Sequence, residues 1–319
     1  MPQTTHTSTP SLAPNDPVPT SRSGLLFGLG AYVWWGLSAL YFKALPTVPP
    51  VVVLCHRFVW SVVLLAAVIH FAGRWKPVRD ALRDPALLRW LLLTACLITC
   101  NWLVFIYAIS VQRLVDASLG YFINPLFTVV LGMVFLRERL TRAQWAAVTL
   151  AAGGLVYLSI SEARSGAAGV PWIALSLPLT FGFYSLIRKR TPVDPLTGLF
   201  IETAFLSPLA LPLLLWAHTR PDAAAFNTAG TLAILSLAGL VTTVPLICFV
   251  AAARRLPMVT LGFLQFLNPT LQFLTAVALF GEPFAGAKPV AFVFIWIAVA
   301  VFIADLAWRA RQTRQAKGV

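Results

Sequence analysis

The sequence predicts an all-α membrane protein whose ten transmembrane helices form two inverted five-helix repeats. Three observations carry this. Hydrophobic residues make up 59% of the 319 and charged residues only 11%, well outside the balance of soluble domains. The apolar residues gather into ten continuous runs, and the second half of the chain repeats motifs of the first.

The runs span 24–45, 51–72, 90–110, 115–136, 143–160, 170–187, 196–217, 230–253, 257–281 and 289–308. Each has about the 20 residues a helix needs to cross ~30 Å of hydrocarbon. They are apolar throughout rather than alternating, which favours helices over a β-barrel. Residues 1–22 are rich in Pro, Ser and Thr and have no apolar signal region, so they read as a disordered cytoplasmic tail, with the first run as its own targeting signal. The second run carries His56 and Arg57, the third Asn101 and Trp102, and the fourth Asn124 and Pro125. The fifth is nearly free of polar side chains and contains Ala151, Ala152, Gly153 and Gly154. Such small residues suit close helix packing, so the fifth and tenth runs are expected at the periphery, as scaffold or homodimer contact. A short Gly, Ala and Ser-rich junction at 161–169 separates the first repeat, 23–160, from the second, 170–308. In the second repeat the seventh run holds Glu202, the eighth Thr242, Thr243 and Pro245, and the ninth Gln265, Asn268 and Pro269, with a basic tail at 309–319.

The duplication is visible residue by residue. Leu119-Gly120-Tyr121-Phe122 and Asn124-Pro125 run on to Glu138; Leu261-Gly262-Phe263 and Asn268-Pro269 run the same distance on to Glu282. Trp35-Gly36 and Lys43 answer to Phe181-Gly182 and Lys189, and Arg113-Leu114 to Arg255-Leu256. A repeat with an odd number of crossings enters the membrane upside down, which is the inverted plan of many transporters.

The net charge of +13 suggests nucleic acid until the basic residues are placed between the runs. Alternate segments hold Arg22; Arg74, Lys76, Arg79, Arg83 and Arg89; Arg137, Arg139 and Arg142; Arg188, Lys189 and Arg190; Arg254 and Arg255; and Arg309, Arg311, Arg314 and Lys317. The opposite segments hold only Lys43, Arg113, Arg164, Arg220 and Lys288. By the positive-inside rule both termini are cytoplasmic, in an inner, multi-pass membrane protein, and nucleic acid is not a partner. Cys55, Cys96, Cys100 and Cys248 lie inside apolar runs without metal-ligand spacing and read as small packing residues, so no metal or cofactor is expected.

Polar groups within the runs are the candidates for function. Charge in hydrocarbon is expensive, so His56, Arg57 and Glu202 are expected to face a cavity or a partner. Arg57 suits an anionic group, and Glu202 a cation or a proton. The repeat matches Glu202 to His56, and placing each six residues from its own end leaves ~12 Å between their levels, too far for an ion pair. Pro125 and Pro269 are expected to kink their helices and free the carbonyls of Tyr121 and Gln265, with Asn124 and Asn268 beside them and a weaker copy at Thr242 and Pro245. Tyr32, Trp35, Asn101, Trp102 and Tyr121 complete the expected substrate cavity. Enzyme motifs for metalloproteases, serine hydrolases and phosphate binding are absent. A membrane sensor or an intramembrane enzyme acting on lipid is the alternative to a transporter of small solutes.

Several strings resemble the EamA family of the drug/metabolite transporter superfamily. They are Ala31-Tyr32, Trp35-Gly36-Leu37, Tyr41-Phe42-Lys43, His56-Arg57, Trp60-Ser61, Asn101-Trp102, the run from Ala117 to Pro125, Thr197-Gly198, Ile201-Glu202-Thr203 and the run from Val241 to Leu246. The resemblance covers the chain from Gly24 to Trp308. It implies ten helices in two EamA repeats and secondary transport at the cytoplasmic membrane. Val52, Asp116 and Asn268 depart from the family pattern, which typically has an acid, a Glu and a Gly there.

Overall fold

The computed structural model describes residues 21–45, 47–110, 114–164, 172–280 and 288–316. Among them the helices are α1 (Arg22–Lys43), α2 (Pro50–Phe71), α3 (Trp75–Leu82), α4 (Pro85–Ser110), α5 (Leu114–Leu136), α6 (Arg142–Arg164) and α7 (Trp172–Arg190). The second half adds α8 (Pro195–His218), α9 (Ala229–Ser236), α10 (Ala238–Ala253), α11 (Met258–Gln265), α12 (Leu267–Phe280) and α13 (Lys288–Ala316). No described residue lies in a strand. Among the described residues seven units are long and apolar enough to cross a membrane: α1, α2, α4, α6, α8, the α9–α10 pair and α13.

Local chemistry sets the helix starts. Asp84 accepts from the amides of Ala86 and Leu87 at 2.9 and 3.0 Å, and Asp194 accepts from Thr197 at 3.1 Å. Thr141 and Gln144 cap α6 reciprocally, each side chain taking the other's amide, at 3.1 and 3.2 Å. Between α2 and α4 the short α3 buries Val78 and Ala81 and exposes its charges, as a surface helix does.

The ninth run is two helices, α11 and α12, separated at Phe266, so Pro269 falls in the first turn of α12, three residues after the break. A first-turn proline gives up an amide that has no helical partner anyway. The basic 309–319 segment continues α13 as a helix as far as Ala316. Pro125 does lie inside α5, and Pro245 inside α10. The 1–20 part of the expected tail and Glu282 lie outside the described residues.

The two halves interlock. α1 packs on α10 and α12, α4 on α7 and α8, and α5 on α7 and α11; α2 pairs with α8, and α6 with α13. Close approaches need glycine: a Cβ on Gly262 would stand 2.7 Å from the Pro125 carbonyl oxygen, so α11 crosses α5 at its proline. Trp35 and Phe181, equivalent in the duplication, meet with ring centroids 6.0 Å apart. Large apolar side chains cover the outside, Phe71 being 88% and Leu209 73% exposed, as befits a surface solvated by lipid tails. Cys96 and Cys100 are on that exposed surface rather than in the packing, while Cys55 is buried.

Polar clamps close one end of the bundle. Arg137 takes a left-handed backbone (φ 56°) that ends α5 and turns Glu138 toward α11. Glu138 then accepts from the amides of Met258 at 2.7 Å and Val259 at 2.9 Å, its charge opposing the positive end of that helix. Lys189 donates to the carbonyls of Ala253 and Leu256, closing α10, and Arg190 donates to Phe135 at the end of α5.

Candidate functional site

Polar side chains gather in three places along the bundle. In the first, Arg57 on α2 donates through Nε to Thr242 Oγ1 of α10 at 2.8 Å. Its guanidinium lies over the Trp102 ring of α4, 4.0 Å from the centroid, where a cation–π contact contributes about 0.5–2 kcal/mol. Tyr41 and Tyr121 are near enough to feel its charge. Among the described residues no carboxylate pairs with Arg57. Sequence placed Arg57, Trp102, Thr242 and Tyr121 in one cavity, and the fold brings these four together from α2, α4, α5 and α10.

The second place is central. Gln265 Nε2 donates to Thr128 Oγ1 at 3.0 Å, and Thr128 donates to the Asn124 carbonyl at 2.9 Å, joining α11 to α5 where they cross. Tyr32 touches Trp35, ring centroids 5.6 Å apart. The Tyr32 hydroxyl, Asn124 Oδ1, Gln265 Oε1 and Asn268 Oδ1 are buried without a hydrogen-bond partner. Asn101 is elsewhere: its amide donates to the Leu177 carbonyl at 2.8 Å and to Thr180 at 2.9 Å, tying α4 to α7.

The third place separates His56 from Glu202. His56 Nε2 is 3.1 Å from His218 Nε2, at the last residue of α8. Glu202 is 16 residues earlier on that helix, ~24 Å at 1.5 Å per residue. The expected ~12 Å between their levels is therefore too small, because His56 sits level with the end of α8 rather than a third of the way along it. Glu202 also has a partner that sequence did not give it. Arg188, counted among the loop charges, is 0% exposed, and its Nε is 3.4 Å from Glu202 Oε1. The available signal was the spacing: Arg188 lies in the last turn of α7 and α8 begins seven residues later, so a short hairpin returns Glu202 to its level.

Two open cavities lie at the ends of the bundle, away from Arg57. One of about 270 Å³ is lined by Pro49, Cys55, Leu213 and Phe226 at the His218 end. The other, about 550 Å³, lies at the opposite end among Phe27, Arg74, Asp194, Leu196, Arg254 and Arg255. The Arg57 and Gln265 groups lie between these ends, and the Trp35 ring beside Tyr32 is itself packed on Phe181 and Phe249.

Residues 22–160 match the EamA-like transporter family. An uncharacterized transporter of Vibrio cholerae is 46% identical over 89% of this chain and 93% of its own length. Protein RarD of Escherichia coli K12 is 42% identical over 92% of this chain and 98% of its own. A solved crystal structure with 22% identity superposes with a TM-score of 0.66 over 88% of this chain and 96% of that one, a likeness of fold.

Proposed function

The chain belongs to the EamA-like transporter family, alongside RarD-type relatives, and on that footing we propose a permease that moves a small organic anion across the cytoplasmic membrane by alternating access. The observation that carries this reading is Arg57, a membrane-buried cation with no carboxylate partner among the described residues, held by Thr242 and Trp102. A planar guanidinium stacked on an indole presents its outer N–H groups as a fork, the geometry that matches a carboxylate or phosphate.

The packing supports two inverted halves. In this reading α5, α7 and the α11–α12 pair complete ten spans. Exchanging the halves then maps the main helix contacts onto one another: α1 on α10 answers α7 on α4, and α5 on α7 answers α12 on α1. The α2–α8, α5–α11 and α6–α13 pairs map onto themselves. Arg57 and Thr242 come from different halves, so a rocking of one half against the other opens and closes their contact, as midplane sites in repeat transporters do. The bias of basic residues supports a cytoplasmic Arg188 end and cytoplasmic termini.

The test is uptake and efflux in proteoliposomes across panels of organic anions, cations and neutral solutes. A carboxylate or phosphate solute is expected to be carried, with KM rising roughly tenfold or more in Arg57→Lys, which loses the fork and keeps the charge. Transport of only cationic or neutral solutes, unaffected by Arg57→Lys, would overturn the reading.

A further inference from the structure

Arg188 and Glu202 form a site the transport reading does not use. Arg188 is wholly buried and its guanidinium lies against Gly198, where any Cβ would collide with Nη1, Nη2 and Cζ. Glu202 is 2% exposed. Its Oε1 faces Arg188 Nε at 3.4 Å and accepts the Thr94 hydroxyl at 2.5 Å, while Oε2 has no partner. Arg188 Nη1 and Nη2 and the Thr197 and Tyr184 hydroxyls around the pair are also buried and unpartnered. An ion pair this loose is a poor device for stability, since both charges are desolvated and few of their bonds are made. It is a sensitive device for sensing a proton, because neutralising Glu202 leaves the buried Arg188 charge uncompensated and so changes what holds α7 to α8.

We propose that Glu202 is a proton-binding site at the Arg188 end of the bundle, taking the proton on Oε2, and that Arg188 is the positioning residue that governs it. The proton comes from water in the 550 Å³ cavity, whose lining includes Leu196, two residues before Gly198. On transfer the carboxylate becomes a neutral carboxyl, Arg188 keeps its charge, and the pair passes from neutral to singly positive. Thr94 already has a second acceptor, the Leu91 carbonyl at 2.9 Å, and turns to it as Oε1 weakens. The ion pair joins α7 to α8, which both pack on α4 and α10, so protonation loosens a direct polar tie between the two helices.

The other groups around this site do not compete for the proton. Tyr184 on α7 is the remaining titratable side chain that faces the pair. On α4 it is Thr94 that faces it, Arg89 being exposed. Arg79 and Asp80 on α3 and His70 on α2 are exposed, and Cys248 on α10 is half-buried.

The test needs no transported solute. Full-length protein in nanodiscs is titrated from neutral to acid by infrared difference spectroscopy. A protonated-carboxyl carbonyl band is expected in the wild type and absent in Glu202→Gln once the bands of the exposed carboxylates, common to both, are subtracted. Removing the neighbouring cation in Arg188→Gln is expected to tighten proton binding roughly tenfold or more, and Arg188→Lys to return it toward the wild-type value. Gly198→Ala, which pushes the guanidinium off its seat without changing charge, moves the midpoint the same way as Arg188→Gln. The band persisting in Glu202→Gln, or a midpoint unmoved by Gly198→Ala, would overturn the proposal. If Arg188→Gln does not fold, the neutral double variant Arg188→Gln with Glu202→Gln is expected to fold and lack the band. A double variant that also fails to fold shows that Arg188 does more than balance Glu202, and overturns it too.

Discussion

His56 and His218 meet nitrogen to nitrogen, and the Trp60 indole decides which of them donates. Trp60 Nε1 can only donate, and it reaches His56 Nδ1 at 3.1 Å. His56 therefore carries its proton on Nε2 and gives it to His218 Nε2, 3.1 Å away. His218 in turn carries its proton on Nδ1 and donates to Asn227 Oδ1 at 2.5 Å, while the Asn227 amide returns to the His218 carbonyl at 3.2 Å. Every member is satisfied only when both rings are neutral.

This relay ties the start of α2 to the end of α8 and to the loop that follows it. His218→Leu leaves His56 Nε2 without its acceptor, and is expected to cost about 1–3 kcal/mol, the penalty of an unmade buried bond. Thermal unfolding in nanodiscs checks this: the variant should melt below the wild type, and an unchanged midpoint would show that the ring pair contributes nothing to stability.

The two Asn-Pro motifs should respond differently to the same substitution. Pro125 interrupts α5 and its carbonyl is where α11 crosses, so Pro125→Ala restores the bond to Tyr121, straightens α5 and displaces Gly262. Pro269 is in the first turn of α12, where an added amide has little to bond. Initial transport rates in proteoliposomes should fall by about tenfold or more in Pro125→Ala and stay near wild type in Pro269→Ala. Equal losses would mean that the break at Phe266 depends on its proline as much as the kink in α5 does.

Orientation is checked by chemistry at the ends. In a background without the four native cysteines, single cysteines replacing Arg79 or Arg190, both exposed, should resist impermeant thiol reagents in intact cells. Replacements of Arg164 and Arg220, also exposed, should label. Labelling at Arg190 without lysis would place the Arg188 end outside and undo the inverted arrangement.

Composition and repetition made the all-helical, multi-pass fold legible, because in lipid a continuous apolar run has one stable form. The Arg57 group was legible for a related reason: a charge inside such a run stands out, and Thr242 and Trp102 were marked as unusual beside it. Partners were harder. Arg188, Lys189 and Arg190 read alike as solvated loop charges, yet one is buried on Glu202, one closes α10 and one closes α5. Which way each turns depends on a helical phase that only packing against α5, α8 and α10 determines. His218 escaped notice because it ends an apolar run, where a histidine looks like an interface residue. The split at Phe266 was hidden because α11 and α12 are both apolar, and hydropathy does not register a lost turn.

Glu138 sits 120 residues before the Met258 amide it accepts from. At about 5–20 residues per second, a ribosome needs roughly 6–24 s to deliver that amide once Glu138 has emerged. For that interval the carboxylate has only water, and α5 lies in the bilayer without the helix that crosses it. The first half therefore waits in the membrane as a loosely associated set of spans, open to quality-control proteases. Truncation anywhere before Met258 leaves it in that condition for good.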